Sequence, residues 1–195
     1  MTDAVEILRV DGGASINNQT QNGTKNKYMK IVKAPNEFRE DNTQARTLKV
    51  FLAGSIEMGA AENWQDKVTD ALQEFETFRQ GKTEIKILNP RRDDWDSSWV
   101  QSIENKEFRE QVEWELNGLD EADVIVLWFD PKTKSPISLL ELGLYAGTEK
   151  MVVYCPEGFW RKGNVDIVCE RNGIPHYETE TDFFDFLKEY VEMKM

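Results

Sequence analysis

Val124-Ile125-Val126-Leu127-Trp128-Phe129 carries no polar side chain at any position. A half-exposed strand would alternate apolar with polar residues, so this run needs cover on both faces, as a central strand of a parallel sheet has. Similar runs recur along the chain. Residues 48–53 form a short apolar segment closed by Gly54, residues 85–88 one stopped by Asn89-Pro90, and residues 151–155 another. Residues 28–34 have strand character ending at Pro35-Asn36, and His176-Tyr177 reads as a weak strand.

Helical patterns fill the intervals. Trp64, Val68, Ala71, Leu72, Phe75 and Phe78 recur at steps of three and four, which predicts an amphipathic helix over 62–80 ended by Gly81. Phe108, Val112, Leu116 and Leu119 predict a helix over about 104–121. A mostly apolar helix is expected over 139–148, a short one over 165–171, and an acidic closing helix from about Asp182. Strands alternating with helices imply βαβ units. The expected fold is α/β: a three-layer sandwich with a central, mostly parallel sheet, flavodoxin- or Rossmann-like. Residues 28–195 read as one such domain, and residues 1–27, rich in Gly, Asn and Gln, as a flexible polar leader. In such sheets ligands bind beyond the carboxyl ends of the strands, where strand order reverses. That selects residues 54–59, 89–99, 130–141 and 156–164.

Composition narrows the chemistry. With 24 Lys and Arg against 36 Asp and Glu, the net charge of −12 repels polyphosphate chains and anionic membranes and favours a small-molecule partner. The single histidine, His176, rules out a His-rich metal site, and Cys155 and Cys169 lie in no zinc spacing. They read as reduced, buried thiols of a cytoplasmic protein. No signal peptide and no apolar run of membrane-spanning length is evident. The sequence has no GxGxxG after its first core strand, no Walker A lysine and no GxSxG elbow, so catalysis, if any, must rest on carboxylates, and no metal or cofactor motif is read.

Two carboxylates stand out. Glu141 is a lone acid in the apolar segment Ser135-Pro136-Ile137-Ser138-Leu139-Leu140-Glu141-Leu142-Gly143. It suits either a capping box with Ser138 as N-cap, or an ionised nucleophile held in the first turn of a helix. Glu115 lies beside the apolar stripe of its helix, where it either snorkels or is partly buried near Glu141. Burial and like charge would then raise one pKa and set an acid beside a base. In the loop 89–99, Trp95 or Trp99 could stack on a planar heterocycle, with Asp94 beside them. Gly54 and Ser55 offer backbone N–H groups and a hydroxyl to a sugar or phosphate.

Phe51-Leu52-Ala53-Gly54-Ser55, Asn89-Pro90, Trp114-Glu115 followed by Ala122-Asp123-Val124, Glu141-Leu142-Gly143 and Asn164-Val165 together resemble the nucleoside 2-deoxyribosyltransferase-like family. The resemblance runs from about Tyr28 to Pro175. It implies that Glu141 attacks C1′ of a 2′-deoxyribonucleoside, that the base leaves, and that another base or water resolves a covalent deoxyribosyl-enzyme. Glu115 matches the residue that assists the leaving base, where the family usually carries Asp. Asn164 matches a residue that reaches the sugar's 5′ end across a subunit interface, so the resemblance also implies a homodimer or higher homo-oligomer with shared active sites. Ser135 stands where the transferases usually carry an aspartate, six residues before the nucleophile. Serine there resembles the branch that hydrolyses 2′-deoxynucleoside 5′-monophosphates, whereas Asn164 resembles the nucleoside-binding branch. A non-catalytic nucleotide-binding domain is the alternative outside enzymes.

Overall fold

The computed structural model describes residues 29–38, 47–56, 61–79 and 84–195. The leader expected over 1–27, Gly59 and the Gly81 helix stop lie outside them. The elements in chain order are β1 (Met29–Lys33), β2 (Thr47–Gly54), α1 (Trp64–Arg79), β3 (Glu84–Asn89), α2 (Lys106–Glu121), β4 (Val124–Trp128), α3 (Pro136–Tyr145), β5 (Met151–Tyr154), α4 (Lys162–Asn172), β6 (His176–Tyr177) and α5 (Glu180–Lys194). The sheet runs β1-β3-β2-β4-β5-β6 with every neighbouring pair parallel. Counted from β2, the order is 2-1-3-4-5, the flavodoxin-like winding, and β1 extends the edge beyond β3.

Strand alternation explains the layers. Leu48, Val50 and Leu52 of β2 point into one apolar cluster with Trp64, Val68 and Leu72 of α1 and Phe183, Leu187 and Val191 of α5. Phe51 and Ala53 point the other way, into a cluster with Trp114 and Leu119 of α2, Leu142 of α3, and Val165 and Cys169 of α4. β4 feeds both, with Val124, Val126 and Trp128 on one face and Ile125 and Leu127 on the other. All five of its residues are buried, which is why the run has no polar member. Each such aliphatic residue contributes about 1.5–3 kcal/mol by leaving water.

Two glycines set close approaches. A Cβ on Gly118 would lie 2.7 Å from the Phe51 ring, so its absence lets α2 settle onto β2. Gly54 ends β2 at φ +143°, and a Cβ there would meet the Trp128 carbonyl oxygen at 2.3 Å. This is where β2 and β4 part company, β3 lying on one side of β2 and β4 on the other. The switch in strand order at the strand carboxyl ends therefore lies just beyond the paired residues Gly54 and Trp128.

The largest boundary difference from the sequence expectation is in α3, which starts at Pro136 rather than 139 and ends at Tyr145 rather than 148. Proline at the first helical position has no N–H to lose and a φ already suited to the helix. Cys155 and Cys169 are buried and free, and burial pushes both thiols up to about 12. No helix among the described residues is long and apolar enough to cross a membrane.

Candidate active site

At the carboxyl end of β2, the Ser55 N–H donates to the Trp128 carbonyl at 2.8 Å, and the indole N–H of Trp64 donates to the Ser55 carbonyl at 2.8 Å. With its backbone fixed on both sides, Ser55 turns its hydroxyl toward the loop after β4. There Ser55 Oγ lies 2.5 Å from Ser135 Oγ, Thr133 Oγ1 lies 2.9 Å from Ser55 Oγ, and Thr133 Oγ1 lies 2.7 Å from Ser135 Oγ. The Asp130 N–H donates to Ser55 Oγ at 2.9 Å. Three uncharged side chains thus bring their hydroxyls together in a buried triangle. The Asp130 carboxylate accepts from the Lys132 N–H at 2.8 Å and the Glu62 N–H at 3.1 Å, which joins the loop before α1 to the loop before α3.

Ser135 is the N-cap of α3, in the left-handed region at φ 46° and ψ 53°, and makes no side-chain cap. The geometry corrects the first-turn position that both sequence expectations gave Glu141. The cap is Ser135 rather than Ser138, so Glu141 sits in the second turn and takes no part in a capping box. Nor does a first-turn position keep it ionised. Glu141 is only 8% exposed, and among the described residues its carboxyl has no hydrogen-bond partner and no cation. Burial first, and the nearby charge of Glu115 second, push its pKa up to about 8.

Glu115 comes from α2 on the same side of the sheet as α3. It is partly buried, burial raises its pKa, and a hydrogen bond from Gln111 opposes that rise. The donor is Gln111 Nε2, 2.7 Å from Glu115 Oε1. Glu115 thus lies within electrostatic reach of Glu141, and burial raises both carboxyls.

The other expected residues fall in two places. Trp95 and Trp99 meet edge to face at 5.1 Å, and the Arg92 guanidinium lies 4.9 Å from the Trp99 ring while donating to both carboxylate oxygens of Asp94 at 2.9 Å. These four residues form a surface cluster of their own. Asn164, exposed in the first turn of α4, lines a groove of about 310 Å³ with Leu139, Leu142, Gly143, Arg161 and Val165. Thr133 and Gln111 were not singled out in the sequence. Gln111 had a readable signal, since it precedes Glu115 by four residues and shares its helix face. Thr133 lies in the selected loop 130–141 but belongs to no motif.

Fold and site define a flavodoxin-like α/β protein with a hydroxyl cluster at the carboxyl ends of β2 and β4 and, on one face of the sheet, two buried or half-buried carboxyls that pair with no cation among the described residues. The family model described as nucleoside 2-deoxyribosyltransferase like matches residues 47–159, and the chain belongs to that family. A conserved protein from Enterococcus faecalis V583, known from its crystal structure, superposes with a TM-score of 0.52 at 11% sequence identity. The match covers 77% of this chain and 100% of that one, and it concerns the fold alone. No curated protein matches the chain.

Proposed function

We propose that the protein cleaves the N-glycosidic bond of 2′-deoxyribonucleosides by way of a deoxyribosyl ester on Glu141. The observation that carries this is the Glu141 carboxyl itself: buried, paired with no cation among the described residues, and within electrostatic reach of a second acid. A buried ionisable group with no structural partner is costly to keep, and such groups concentrate where chemistry is done. Glu141 Oε attacks C1′ as the C1′–N bond breaks, and the bonding electron pair leaves with the base. The base nitrogen takes the proton carried by Glu115. Water or a second base then attacks C1′, gives its proton to Glu115, and releases the Glu141 carboxylate. Two carboxyls holding one proton are the inventory these steps need, and the positive charge that develops on the sugar is offset by carboxylate.

Gly54, Ser55 and Ser135 line the sugar and its 5′ substituent in this proposal, and Trp95, Trp99 and Asp94 are weaker candidates for contacting the base. The neutral hydroxyl triangle favours a second reading, hydrolysis of 2′-deoxynucleoside 5′-monophosphates. A carboxylate about 4 Å from a phosphate would cost on the order of 4 kcal/mol at an intermediate dielectric, and Ser55, Thr133 and Ser135 present none. Base release measured on a deoxynucleoside and on its 5′-monophosphate separates the two. A strong preference for the phosphate is expected if the triangle serves the 5′ end, and equal rates would remove that role.

A second copy of the chain is the proposed partner. Ile137, Leu140, Leu144 and Ile167 are each 57–66% exposed on α3 and α4, around the groove that holds Asn164. In a chain of charge −12, copies repel unless they meet at an uncharged face, and the only acid of α3 is buried. Asn164 would then complete the partner's site. Leu140→Glu is expected to shift the protein to monomer in analytical ultracentrifugation and to abolish base release with the fold retained. An unchanged mass would overturn the assignment of this face.

A further inference from the structure

Gln111 is buried at 3% exposure, and both hydrogens of its amide nitrogen are committed. Nε2 donates to Glu115 Oε1 at 2.7 Å and to the Pro90 carbonyl at 3.0 Å. Rotating the amide by half a turn would set its oxygen against two acceptors, so the orientation is fixed. The consequence is visible on the other atom, because Gln111 Oε1 is buried and has no donor among the described residues. An acceptor is left unsatisfied so that the nitrogen can hold the carboxylate and the turn after β3 together.

We propose that Gln111 is a positioning residue of this centre, fixing the Glu115 carboxylate against the Asn89-Pro90 turn and holding it in its charged form. Donation to an anionic oxygen is stronger than donation to a neutral one, so the amide favours ionised Glu115. From α3, Glu141 lies within electrostatic reach of Glu115, and Tyr145, whose hydroxyl donates to Asp120 of α2 at 2.7 Å, lies within electrostatic reach of Glu141. No cation among the described residues pairs with either glutamate. Gln111 therefore tips the pair toward a resting state in which Glu141 keeps the proton and Glu115 the charge. The resting charge on Glu115 in turn raises the cost of ionising Glu141, and substrate must reverse that order before C1′ is attacked.

The inference rests on the proposed N-glycosidic chemistry for its functional meaning, but it is tested without substrate. Carboxyl carbon resonances of the full chain, assigned with Glu115→Gln and Glu141→Gln, would be followed against pH in wild type and in Gln111→Met, which keeps the volume and removes the donor. The expected result is an upward shift of the Glu115 midpoint and a downward shift of the Glu141 midpoint in Gln111→Met. Unmoved midpoints in the folded variant would overturn the proposal. Should Gln111→Met fail to fold, the wild-type protein still decides: the Gln111 side-chain amide signals must move with the Glu115 midpoint, and signals constant from pH 4 to pH 9 would overturn it. With a substrate in hand, Gln111→Met is expected to lower kcat roughly tenfold with little change in KM and to displace the pH–rate profile. A displaced titration without any base release would sustain Gln111 and count against the functional proposal instead.

Discussion

Glu141→Ala and Glu141→Gln should each lower base release from a 2′-deoxynucleoside by at least roughly a thousandfold, because removing a covalent nucleophile leaves only binding and acid catalysis. Glutamine is the sharper of the two substitutions. It keeps the volume of a side chain that is 8% exposed and that has no hydrogen-bond partner or cation among the described residues, so α3 and the hydroxyl triangle should stand unchanged. The Glu115→Gln variant should behave differently. The nucleophile survives, so a substrate whose base leaves readily without protonation should still load the enzyme, while a poor leaving group should not. Mass spectrometry of quenched wild type should show the chain heavier by one deoxyribosyl group on the peptide containing Glu141, and Glu141→Gln should show none. Equal turnover in wild type and Glu141→Gln would remove the nucleophile and with it the proposed reaction.

The sheet was legible because burial on both faces writes an unambiguous pattern. Val124 to Trp128 could be nothing but a covered strand, and Leu48 to Ala53 repeats the signal. The acid pair was legible only in part. Spacing put Glu115 beside the apolar stripe of α2, and the topology brought α2 and α3 to one face of the sheet. Which acid suffers more depends on where α3 begins, and a three-residue error there moved Glu141 from the second turn into the first in the sequence expectation. The dipole argument for an ionised carboxylate weakens within one turn, whereas desolvation does not. Contacts such as Gln111 to Pro90 and Thr133 to Ser55 depend on loops meeting in space, over separations of 21 and 78 residues, and no local pattern announces them.

The same glutamate should make the protein less stable as pH rises, and Glu141→Gln should remove most of that loss. Burial and Glu115 hold the Glu141 carboxyl near 8 in the folded chain against a reference value of 4.5. The folded state therefore binds the proton more tightly than the unfolded chain does. Below about pH 4.5 the carboxyl is protonated in both states and costs nothing. Between 4.5 and 8 the unfolded chain gives up the proton while the folded one retains it, so stability falls steadily, and above 8 the loss is complete at about 4 to 5 kcal/mol. Glu115, raised in the same direction, adds to the slope. The remaining surface acids of a −12 chain also repel one another more as pH rises, but wild type and Glu141→Gln share that background almost entirely. Urea denaturation at pH 5.5 and pH 8.5 should thus show wild type losing several kcal/mol that the variant keeps, with the variant the more stable protein at pH 8.5. A capping glutamate would give the opposite sign, since its removal costs stability and costs it most where the carboxylate is ionised. Parallel slopes for the two proteins would mean that the Glu141 carboxyl is solvated in solution, which a nucleophile enclosed beside a second acid is not.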